Sequence, residues 1–229
     1  MTMQAVTTRE PGTDRLRVLV VDDSELFRTG LRALLSEAFE VESAASGDAA
    51  LRQVVTFGPD VVVMDMDMPG MSGNDATRRI LELAPATYVM VLTGSECGDV
   101  LGAIRAGASG YLLKCADVVD IVKAIRATAA GQSPLAPQVA GALLATVREH
   151  PLAEERGVGV SLSPRERQVL ALLVSGANNL EIARRLYISP STVKSQISGL
   201  LSKLEVENRI QAAGVAIRAG LLDDSISLR

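Results

Sequence analysis

The sequence predicts an α/β domain followed by a small all-α domain. Five short apolar runs alternate with helix-like segments over the first 130 residues, whereas the last third carries closely spaced helix-capping signals. The charge also changes along the chain: residues 161–229 hold nine Lys and Arg against six Asp and Glu, and the remainder holds fourteen against twenty-one. An acidic part joined to a mildly basic part indicates two domains with different partners.

The composition is that of a globular protein with aliphatic cores. Of the 229 residues, 48% are hydrophobic and 22% are charged, which argues against a disordered chain. No apolar run approaches the length of about 20 residues that a membrane helix needs, so we expect no membrane partner. The two cysteines lack a Cys-x-x-Cys spacing, and the N-terminus lacks the apolar centre of a secretory signal. We therefore expect a cytoplasmic protein without a zinc site or a disulfide framework.

The apolar runs predict five strands, at residues 17–21, 41–45, 61–65, 88–93 and 110–113. Between them lie segments with apolar residues at helical spacing. The first such segment, ELFRTGLRALLSEAF, contains Leu26, Leu31, Leu34 and Leu35. The last, at residues 116–130, contains Val118, Ile121, Val122 and Ile125. Strands that are apolar on both faces and alternate with helices predict a parallel sheet covered by helices on each side.

A segment rich in Gly, Pro and Ala follows at residues 131–160, and it predicts a linker with one helix at residues 137–149. The remaining chain, residues 161–229, predicts four short helices. Their N-caps are predicted at Ser163, Asn178, Ser189 and Asn208. Proline follows two of these caps directly, and Gly176 suits the end of the first helix.

Polar side chains follow four of the predicted strands at their carboxyl ends. Asp22 and Asp23 follow the first strand, Asp65 ends the third, Thr93 ends the fourth and Lys114 follows the fifth. Open parallel sheets bind their ligands outside the carboxyl ends of the strands. The sequence therefore predicts that these five side chains converge at one edge of one sheet.

Three neighbouring carboxylates need a proton or a cation, because two charges 4 Å apart repel by about 4 kcal/mol at an effective dielectric constant near 20. Oxygen ligands favour Mg²⁺. A cation, the ammonium of Lys114 and the hydroxyl of Thr93 around one carboxylate are what phosphoryl transfer to that carboxylate requires. We expect Asp65 to be the acceptor, because it ends the strand whereas Asp67 lies in the loop.

Residues 15–130 resemble the receiver domain of bacterial response regulators through the motifs VVDDSELFR, PDVVVMDMDMPGMSG, VLTGS and GASGYLLK. The resemblance implies a flavodoxin-like fold with five parallel strands in the order 2-1-3-4-5. It implies that a sensor histidine kinase phosphorylates Asp65, and that Mg²⁺ is held by Asp22, Asp23, Asp65 and the backbone carbonyl of Asp67. It further implies that Thr93 and Lys114 contact the phosphoryl oxygens and that Tyr111 changes rotamer on activation.

The sequence departs from this family at two positions, Asp67 beside the acceptor and Cys115 after Lys114. An acidic Asp67 is unusual in the family and is expected to alter phosphorylation or the lifetime of the phosphoryl group. Cys115, where Asp or Pro is common, is expected to have little effect.

The Asp-x-Asp pair at residues 65–67 also resembles haloacid-dehalogenase-type phosphatases, in which the first Asp is the nucleophile and the second the general acid. In those enzymes, however, a paired-acid motif lies downstream, whereas here the pair Asp22 and Asp23 lies upstream.

The segment LEIARRLYISPSTVKSQISGLLSKL predicts a helix, a tight turn and a second helix. In the second helix, a buried stripe is expected from Val193, Ile197, Leu200 and Leu204. The opposite face carries Lys194, Ser195 and Ser198 together with Ser191. A short helix face with a cation and hydroxyls suits the major groove of DNA, although a solvated surface helix explains the same pattern.

Residues 161–225 resemble the LuxR-type helix-turn-helix of the NarL/FixJ response regulators, through LSPRERQVLALLVSG, EIARRLYIS, STVKSQIS and KLEVENRIQA. The resemblance implies that Lys194, Ser195 and Ser198 approach bases. It assigns the phosphate backbone to Thr192, Arg184 and Lys203, and the buried core to Glu166, Ile182, Ala183, Leu186 and Val193. It assigns the dimer surface of the DNA-bound form to the last helix, with Ala212, Ala213, Ala216 and Ile217. Gln196 replaces a frequent histidine and Glu205 a common glycine.

The sequence is therefore interpreted as a transcriptional response regulator rather than an enzyme. We expect a receiver domain at 15–130, a linker at 131–160 and a DNA-binding domain at 161–229. The expected partners are Mg²⁺, a sensor histidine kinase, double-stranded DNA and a second copy of the chain when phosphorylated or bound to DNA. Two alternatives stay open: a regulator that binds DNA without phosphorylation, and a phosphatase of the Asp-x-Asp type.

Overall fold

The computed structural model of the chain describes residues 15–94, 99–135, 161–218 and 221. Its first part is a five-stranded parallel sheet with the strand order β2-β1-β3-β4-β5, which confirms the predicted topology. The strands are β1 Arg17–Val21, β2 Glu40–Ala44, β3 Val61–Met64, β4 Tyr88–Thr93 and β5 Gly110–Leu113. Their observed bounds differ from the predicted ones by at most one residue. Asp65, for example, lies just beyond β3 rather than inside it.

Five helices cover the two faces of this sheet, as the apolar strands require. They are α1 Glu25–Leu35, α2 Gly47–Phe57, α3 Gly73–Leu83, α4 Val100–Arg105 and α5 Val118–Ala129. One face of the sheet packs against α1 and α5, and the other packs against α2 and α3. All four residues of β3 are buried because the strand lies between β1 and β4 with helices on both sides.

Only two of the four leucines of α1 are buried, although the spacing of all four fits a helix. Leu31 and Leu35 are buried, and the half-buried Phe27 completes their stripe against the sheet. Leu26 and Leu34, in contrast, are 87% and 49% exposed. Residues 27, 31 and 35 follow one another at intervals of four and therefore share one helix face, whereas 26 and 34 lie on another.

The described residues of the second part form four helices and no strand, as predicted. Its helices are α6 Pro164–Val174, α7 Asn179–Leu186, α8 Pro190–Lys203 and α9 Arg209–Arg218. The predicted N-caps are confirmed: Ser163 and Asn178 form complete capping boxes, the Ser189 hydroxyl accepts from the Thr192 amide, and Asn208 accepts from the Gln211 amide. Gly176 has a φ of 84° after α6, a conformation that glycine adopts without strain.

The core of the helical part confirms the stripe predicted for α8: Val193, Ile197, Leu200 and Leu204 are all buried. Two alanines of α9 correct the sequence analysis. Ala212 and Ala216 are completely buried in the same core, so they pack within the domain and are not available as a dimer surface. Ala213 is half-buried, and the side chain of Ile217 lies outside the described part of the chain.

The start of the linker returns to the edge of the sheet. The Tyr111 amide donates to the Pro134 carbonyl at 2.8 Å, and Leu135 forms a parallel bridge with Tyr111. A Cβ at Gly110 would lie only 3.1 Å from the Pro134 ring, so glycine allows this close approach. The linker therefore covers part of the β5 edge. The helix predicted at residues 137–149 lies outside the described residues.

The helical part packs against the amino ends of the strands. Asn179 donates from its amide to the Ala130 carbonyl at 3.0 Å and from its side chain to the Tyr88 hydroxyl at 2.9 Å. At a second point, Asn208 and Gln211 both donate to the Ile104 carbonyl at the end of α4, at 2.6 and 2.8 Å. These bonds join the two parts at two separate places.

Candidate functional site

The predicted acidic site forms at the carboxyl ends of the strands. Asp22, Asp23 and Asp65 each place one carboxylate oxygen within 4.8 Å of the others. Asp22 and Asp65 are 2% and 3% exposed, whereas Asp23 is open to solvent. Two buried acids and one exposed acid therefore form a cluster that solvent reaches from the side of Asp23.

Lys114 neutralises the two buried acids. Its ammonium lies 2.7 Å from Asp22 Oδ2 and 2.9 Å from Asp65 Oδ2. Burial alone would lower the pKa of Lys114, but the hydrogen bonds to Asp22 and Asp65 outweigh it and raise the pKa above the usual lysine value. The lysine therefore remains charged at neutral pH and holds the two carboxylates together.

Backbone contacts fix the position of Asp65. The Asp65 amide donates to the Val21 carbonyl at 2.9 Å, which continues the β1–β3 ladder, and its Oδ1 accepts from the Met66 amide at 2.8 Å. Gly73 lies directly against this turn, since a Cβ there would lie 2.3 Å from the Asp65 carbonyl oxygen. Asp67 lies in the loop and is exposed, in agreement with its predicted position.

Thr93 and Tyr111 lie beside this cluster and are both buried. Burial raises the pKa of Tyr111, the nearby Thr93 hydroxyl lowers it in part, and the charges of Asp67 and Asp99 raise it further. The Tyr111 ring lies in an apolar cluster that also contains Ile104 of α4. Leu135 of the linker and Ile210 of α9 pack against that cluster. The predicted switch residue therefore lies in the apolar cluster against which Ile210 of the helical part packs.

The donor set fits magnesium. The cluster offers carboxylate oxygens only, and hard oxygen donors with room for water are what Mg²⁺ prefers. The exposed side of Asp23 leaves space for those water molecules. When bound, the ion would offset the negative charge of phosphate oxygens at this edge of the sheet.

The face of α8 that is predicted to read DNA is partly covered by the receiver part. Thr192 and Ser195 are exposed and Ser198 is half-buried. The Lys194 ammonium lies 4.7 Å from the centre of the Tyr88 ring, in the range of a cation–π contact. In this arrangement, the lysine predicted to approach bases faces a receiver residue instead.

The two basic residues predicted to contact the phosphate backbone of DNA, Arg184 and Lys203, have different surroundings. Arg184 is exposed. Lys203 forms an ion pair with Glu166 at 2.8 Å, and hydrogen bonds from Lys203 and Ser163 hold the pKa of Glu166 at about 2. Glu166, expected in the core, therefore lies at a half-exposed surface. Glu205 has a φ of 54°, a conformation that favours glycine, the residue that the family resemblance led us to expect at this position.

Several residues at these sites were missed in the sequence. Arg28 and Phe27 of α1 contact the acidic loop and Lys114, and the amphipathic spacing of α1 gave no sign of it. Tyr88, Asn179 and Asn208 join the two parts. A tyrosine at the start of an apolar strand and an asparagine at a helix N-terminus each have an ordinary local explanation, so no sequence signal pointed to their long-range contacts.

The chain matches two family models: the response regulator receiver domain over residues 18–126, and the bacterial regulatory proteins of the luxR family over residues 160–216. It is 39% identical to the transcriptional regulatory protein LiaR of Bacillus subtilis over 215 residues, covering 91% of this chain and all of LiaR. It is 34% identical to the nitrate/nitrite response regulator protein NarL of Escherichia coli over 212 residues, covering 91% of this chain and 96% of NarL.

Among solved structures, the chain resembles a complex of the two-component response regulator RcsB with DNA. The TM-score is 0.50, the identity is 25%, and the match covers 90% of this chain and 99% of RcsB. The five-stranded sheet and its acidic site lie in the first part of the chain, and the helix-turn-helix lies in the second part. The two family models match the chain in the same order. The chain therefore belongs to the NarL/LuxR family of two-component response regulators, with a receiver domain and a LuxR-type DNA-binding domain.

Proposed function

We propose that a sensor histidine kinase phosphorylates Asp65 and that this phosphorylation controls the binding of the helical domain to promoter DNA. We further propose a cytoplasmic protein with a receiver domain at 15–130, a linker at 131–160 and a DNA-binding domain at 161–229. None of the described helices is long and apolar enough to span a membrane. The proposal rests above all on one observation, the position of the Lys114 ammonium between the two buried carboxylates.

In the proposed transfer, a carboxylate oxygen of Asp65 attacks the phosphorus of a phosphohistidine. The bond from phosphorus to the imidazole nitrogen breaks, and the imidazole leaves with the electron pair and takes up a proton. Lys114 already donates to Asp65, and its ammonium can turn from Asp22 to a phosphoryl oxygen without leaving the site. Thr93 supplies a hydroxyl donor at the end of the neighbouring strand. The carboxylates of Asp22, Asp23 and Asp65 and the Asp67 carbonyl would hold Mg²⁺.

The packing of the two domains supports a closed resting form. Lys194 lies over the Tyr88 ring, so the helix face that would enter the major groove is partly covered. DNA binding then requires the helical domain to separate from the amino ends of the strands. Phosphorylation replaces the single negative charge of the Asp65 carboxylate by a phosphoryl group that carries about −1.5 to −2 beside Thr93. Thr93 lies near Tyr111, and Ile210 of the helical domain packs against the apolar cluster around the Tyr111 ring.

A test of the acceptor uses acetyl phosphate as phosphodonor, with phosphate incorporation read by intact-protein mass spectrometry. The parent protein should gain one phosphoryl group in the presence of Mg²⁺, and Asp65→Asn should gain none. Asp67→Asn is the matched control, because it removes a carboxylate two residues away and should still be phosphorylated. Phosphorylation of Asp65→Asn would overturn the assignment. Phosphate hydrolysis by the parent that Asp67→Asn abolishes would support the phosphatase alternative.

The DNA face is proposed from the exposed hydroxyls of α8 together with Lys194. The DNA complex of RcsB supports this assignment, since the match covers 90% of the present chain. Contacts with phosphates should make the logarithm of affinity fall by about 0.9 per neutralised phosphate as the logarithm of salt concentration rises. Lys194→Ala should weaken binding to promoter fragments more than binding to unrelated duplexes, and equal losses would restrict Lys194 to phosphate contacts.

A second candidate is a regulator that binds DNA without phosphorylation. The exposed Asp67 favours it, because a further negative charge beside Asp65 opposes the arrival of a phosphoryl group. Gel shifts across genomic fragments, with and without phosphodonor, separate the candidates. The proposed function predicts that the phosphodonor strengthens binding and dimerisation of the parent but leaves Asp65→Asn unchanged. Equal binding in all four cases would favour the second candidate.

A further inference from the structure

The first turn of α1 contacts the acidic site through two residues that have no place in the proposed chemistry. Arg28 Nη1 donates to the carbonyl oxygen of Asp22 at 2.8 Å and to that of Asp23 at 3.3 Å. The ring centre of its neighbour Phe27 lies 4.8 Å from the Lys114 ammonium. Two consecutive residues of one helix therefore contact the acidic pair and its counter-ion.

The contacts of Arg28 fix the backbone that carries the acidic pair. Asp22 lies at the end of β1, and its Oδ1 accepts from the Ser24 amide at 2.9 Å, which closes a tight turn. The carbonyls of Asp22 and Asp23 belong to that turn, and one guanidinium nitrogen holds both. Because Arg28 bonds to carbonyl oxygens, it leaves the carboxylate oxygens to a cation. It thus orients the exposed Asp23 without competing for the ligands.

The contact with the Phe27 ring restricts the movement of the Lys114 ammonium. The lysine side chain is 21% exposed, and its ammonium donates to Asp22 and Asp65. The half-buried ring packs with the core between α1 and the sheet, so its position is set by the fold. A cation over a fixed aromatic face is held in place by the negative charge of that face. The ring therefore limits how far the ammonium can move from the acceptor.

We propose that Arg28 and Phe27 are positioning residues of the phosphoryl-acceptor site, with separate tasks. Arg28 positions the acidic pair for magnesium binding, and Phe27 positions Lys114 for phosphoryl transfer. This inference rests on the proposed function, since it assigns both residues to the magnesium-dependent phosphorylation of Asp65. It predicts that the two residues affect different measured quantities.

Magnesium affinity tests the first task. In calorimetric titrations of the full chain with MgCl₂, Arg28→Gln should bind about tenfold more weakly, the usual effect of removing a group that orients metal ligands. Arg32→Gln is the matched control: Arg32 lies one turn further along α1, pairs with Glu42 at 3.8 Å on the surface, and should leave affinity unchanged. Amide NMR shifts of Asp22, Asp23 and Ser24 should change in Arg28→Gln even without magnesium.

A conservative variant separates charge from geometry. Arg28→Lys keeps the positive charge but shortens the side chain and removes the planar fork. We expect its magnesium affinity to stay about threefold or more below that of the parent. Full recovery by lysine would show that charge alone acts on the site and would overturn the role of Arg28 as a clamp on the two carbonyls.

Phosphorylation rate tests the second task. With acetyl phosphate and saturating magnesium, Phe27→Leu should react about threefold more slowly, because the variant keeps apolar volume but loses the cation–π contact. Its magnesium affinity should equal that of the parent. Arg28→Gln should show the opposite pattern, with weaker magnesium binding and a rate within about twofold of the parent once magnesium saturates.

The outcomes distinguish this inference from the proposed function. If the parent binds magnesium but never gains phosphate, the proposed function fails, while the role of Arg28 is still judged by magnesium affinity. If the parent is phosphorylated and both variants match it, only the positioning roles fail. Loss of affinity and of rate in both variants, together with lower thermal midpoints, would indicate general damage to the fold and would also overturn the proposal.

Discussion

The two ends of the same parallel sheet have different tasks. At the carboxyl end, buried carboxylates meet an ammonium within hydrogen-bonding distance, and solvent reaches the cluster beside Asp23. At the amino end, Tyr88 and Ala130 form uncharged hydrogen bonds to Asn179 of the helical domain. One sheet therefore holds a buried charged site at one end and a domain contact at the other, with the strands keeping them apart.

Helix α4 connects these ends. It begins near the acidic edge at Asp99, which accepts from the Asn74 side chain at 3.2 Å and caps the helix through the Gly102 amide. It ends at the amino side, where the Ile104 carbonyl accepts from Asn208 and Gln211. A small displacement of this six-residue helix would therefore change the domain contact directly.

The largest expected effect concerns the carboxyl end. Without magnesium, Lys114→Met should lower the free energy of unfolding of the receiver domain by about 2–3 kcal/mol, because two buried carboxylates lose their counter-ion. Added magnesium should restore part of the loss. Urea unfolding followed by circular dichroism measures both effects. Lys123→Met, which removes a surface pair with Asp120, is the control and should lower the free energy of unfolding by less than about 0.5 kcal/mol. Equal losses in the two variants would show that Lys114 does not stabilise the fold by neutralising the buried carboxylates.

A smaller effect is expected at the amino end. Tyr88→Ala should strengthen binding of the unphosphorylated protein to a mixed-sequence duplex about tenfold, because the closed form loses both the contact with Lys194 and the bond from Asn179. Tyr88→Phe keeps the ring and should give only about a threefold gain. Fluorescence anisotropy measures the affinities, and Val55→Ala, an exposed change on α2, is the control. An unchanged affinity in Tyr88→Ala would show that the domain contact does not restrict DNA binding.

The smallest expected effect lies away from both ends of the sheet. The pKa of Glu166 is lowered from 4.5 to about 2 in the folded state, so its contribution to stability is present above pH 4.5 and is lost as the pH falls toward 2. The thermal midpoint of Glu166→Gln should therefore lie slightly below that of the parent at pH 7 and approach it at pH 3. Lys203→Met should reproduce this convergence, since Lys203 is the main cause of the shift. A constant difference at all pH values would contradict the assignment.

The carboxyl end of the sheet could be predicted from the sequence because every element there has a local signal. Apolar runs predict strands, acids that follow them predict an edge, and the rule for parallel sheets brings the edge residues together. Asp22, Asp65 and Lys114 lie where that reasoning placed them. Their roles in phosphorylation and magnesium binding stay predictions. The spacing of leucines in α1 was less informative, because Leu26 and Leu34 fit a helical pattern yet point to solvent.

The amino end could not be predicted, because a contact between domains depends on two surfaces that are far apart in the sequence. Tyr88 and Asn179 are 91 residues apart, and Asn208 and Ile104 are 104 residues apart. The surface against which the alanines of α9 pack could not be predicted from the sequence either. A row of small residues suits either a dimer surface or a tightly packed core, and only the packing of α9 against the helical core places Ala212 and Ala216 inside.

The sequence by itself determined the two domains, the strand order through the family resemblance, and the residues at the acidic edge, since local periodicity and strand-end chemistry are properties of short segments. Only the tertiary structure decided that Arg28 and Phe27 contact the acidic loop and Lys114, and that Lys194 lies over Tyr88. Those contacts depend on the angles at which helices and domains pack. Such angles arise from many weak interactions across the whole chain and leave no pattern in any one segment.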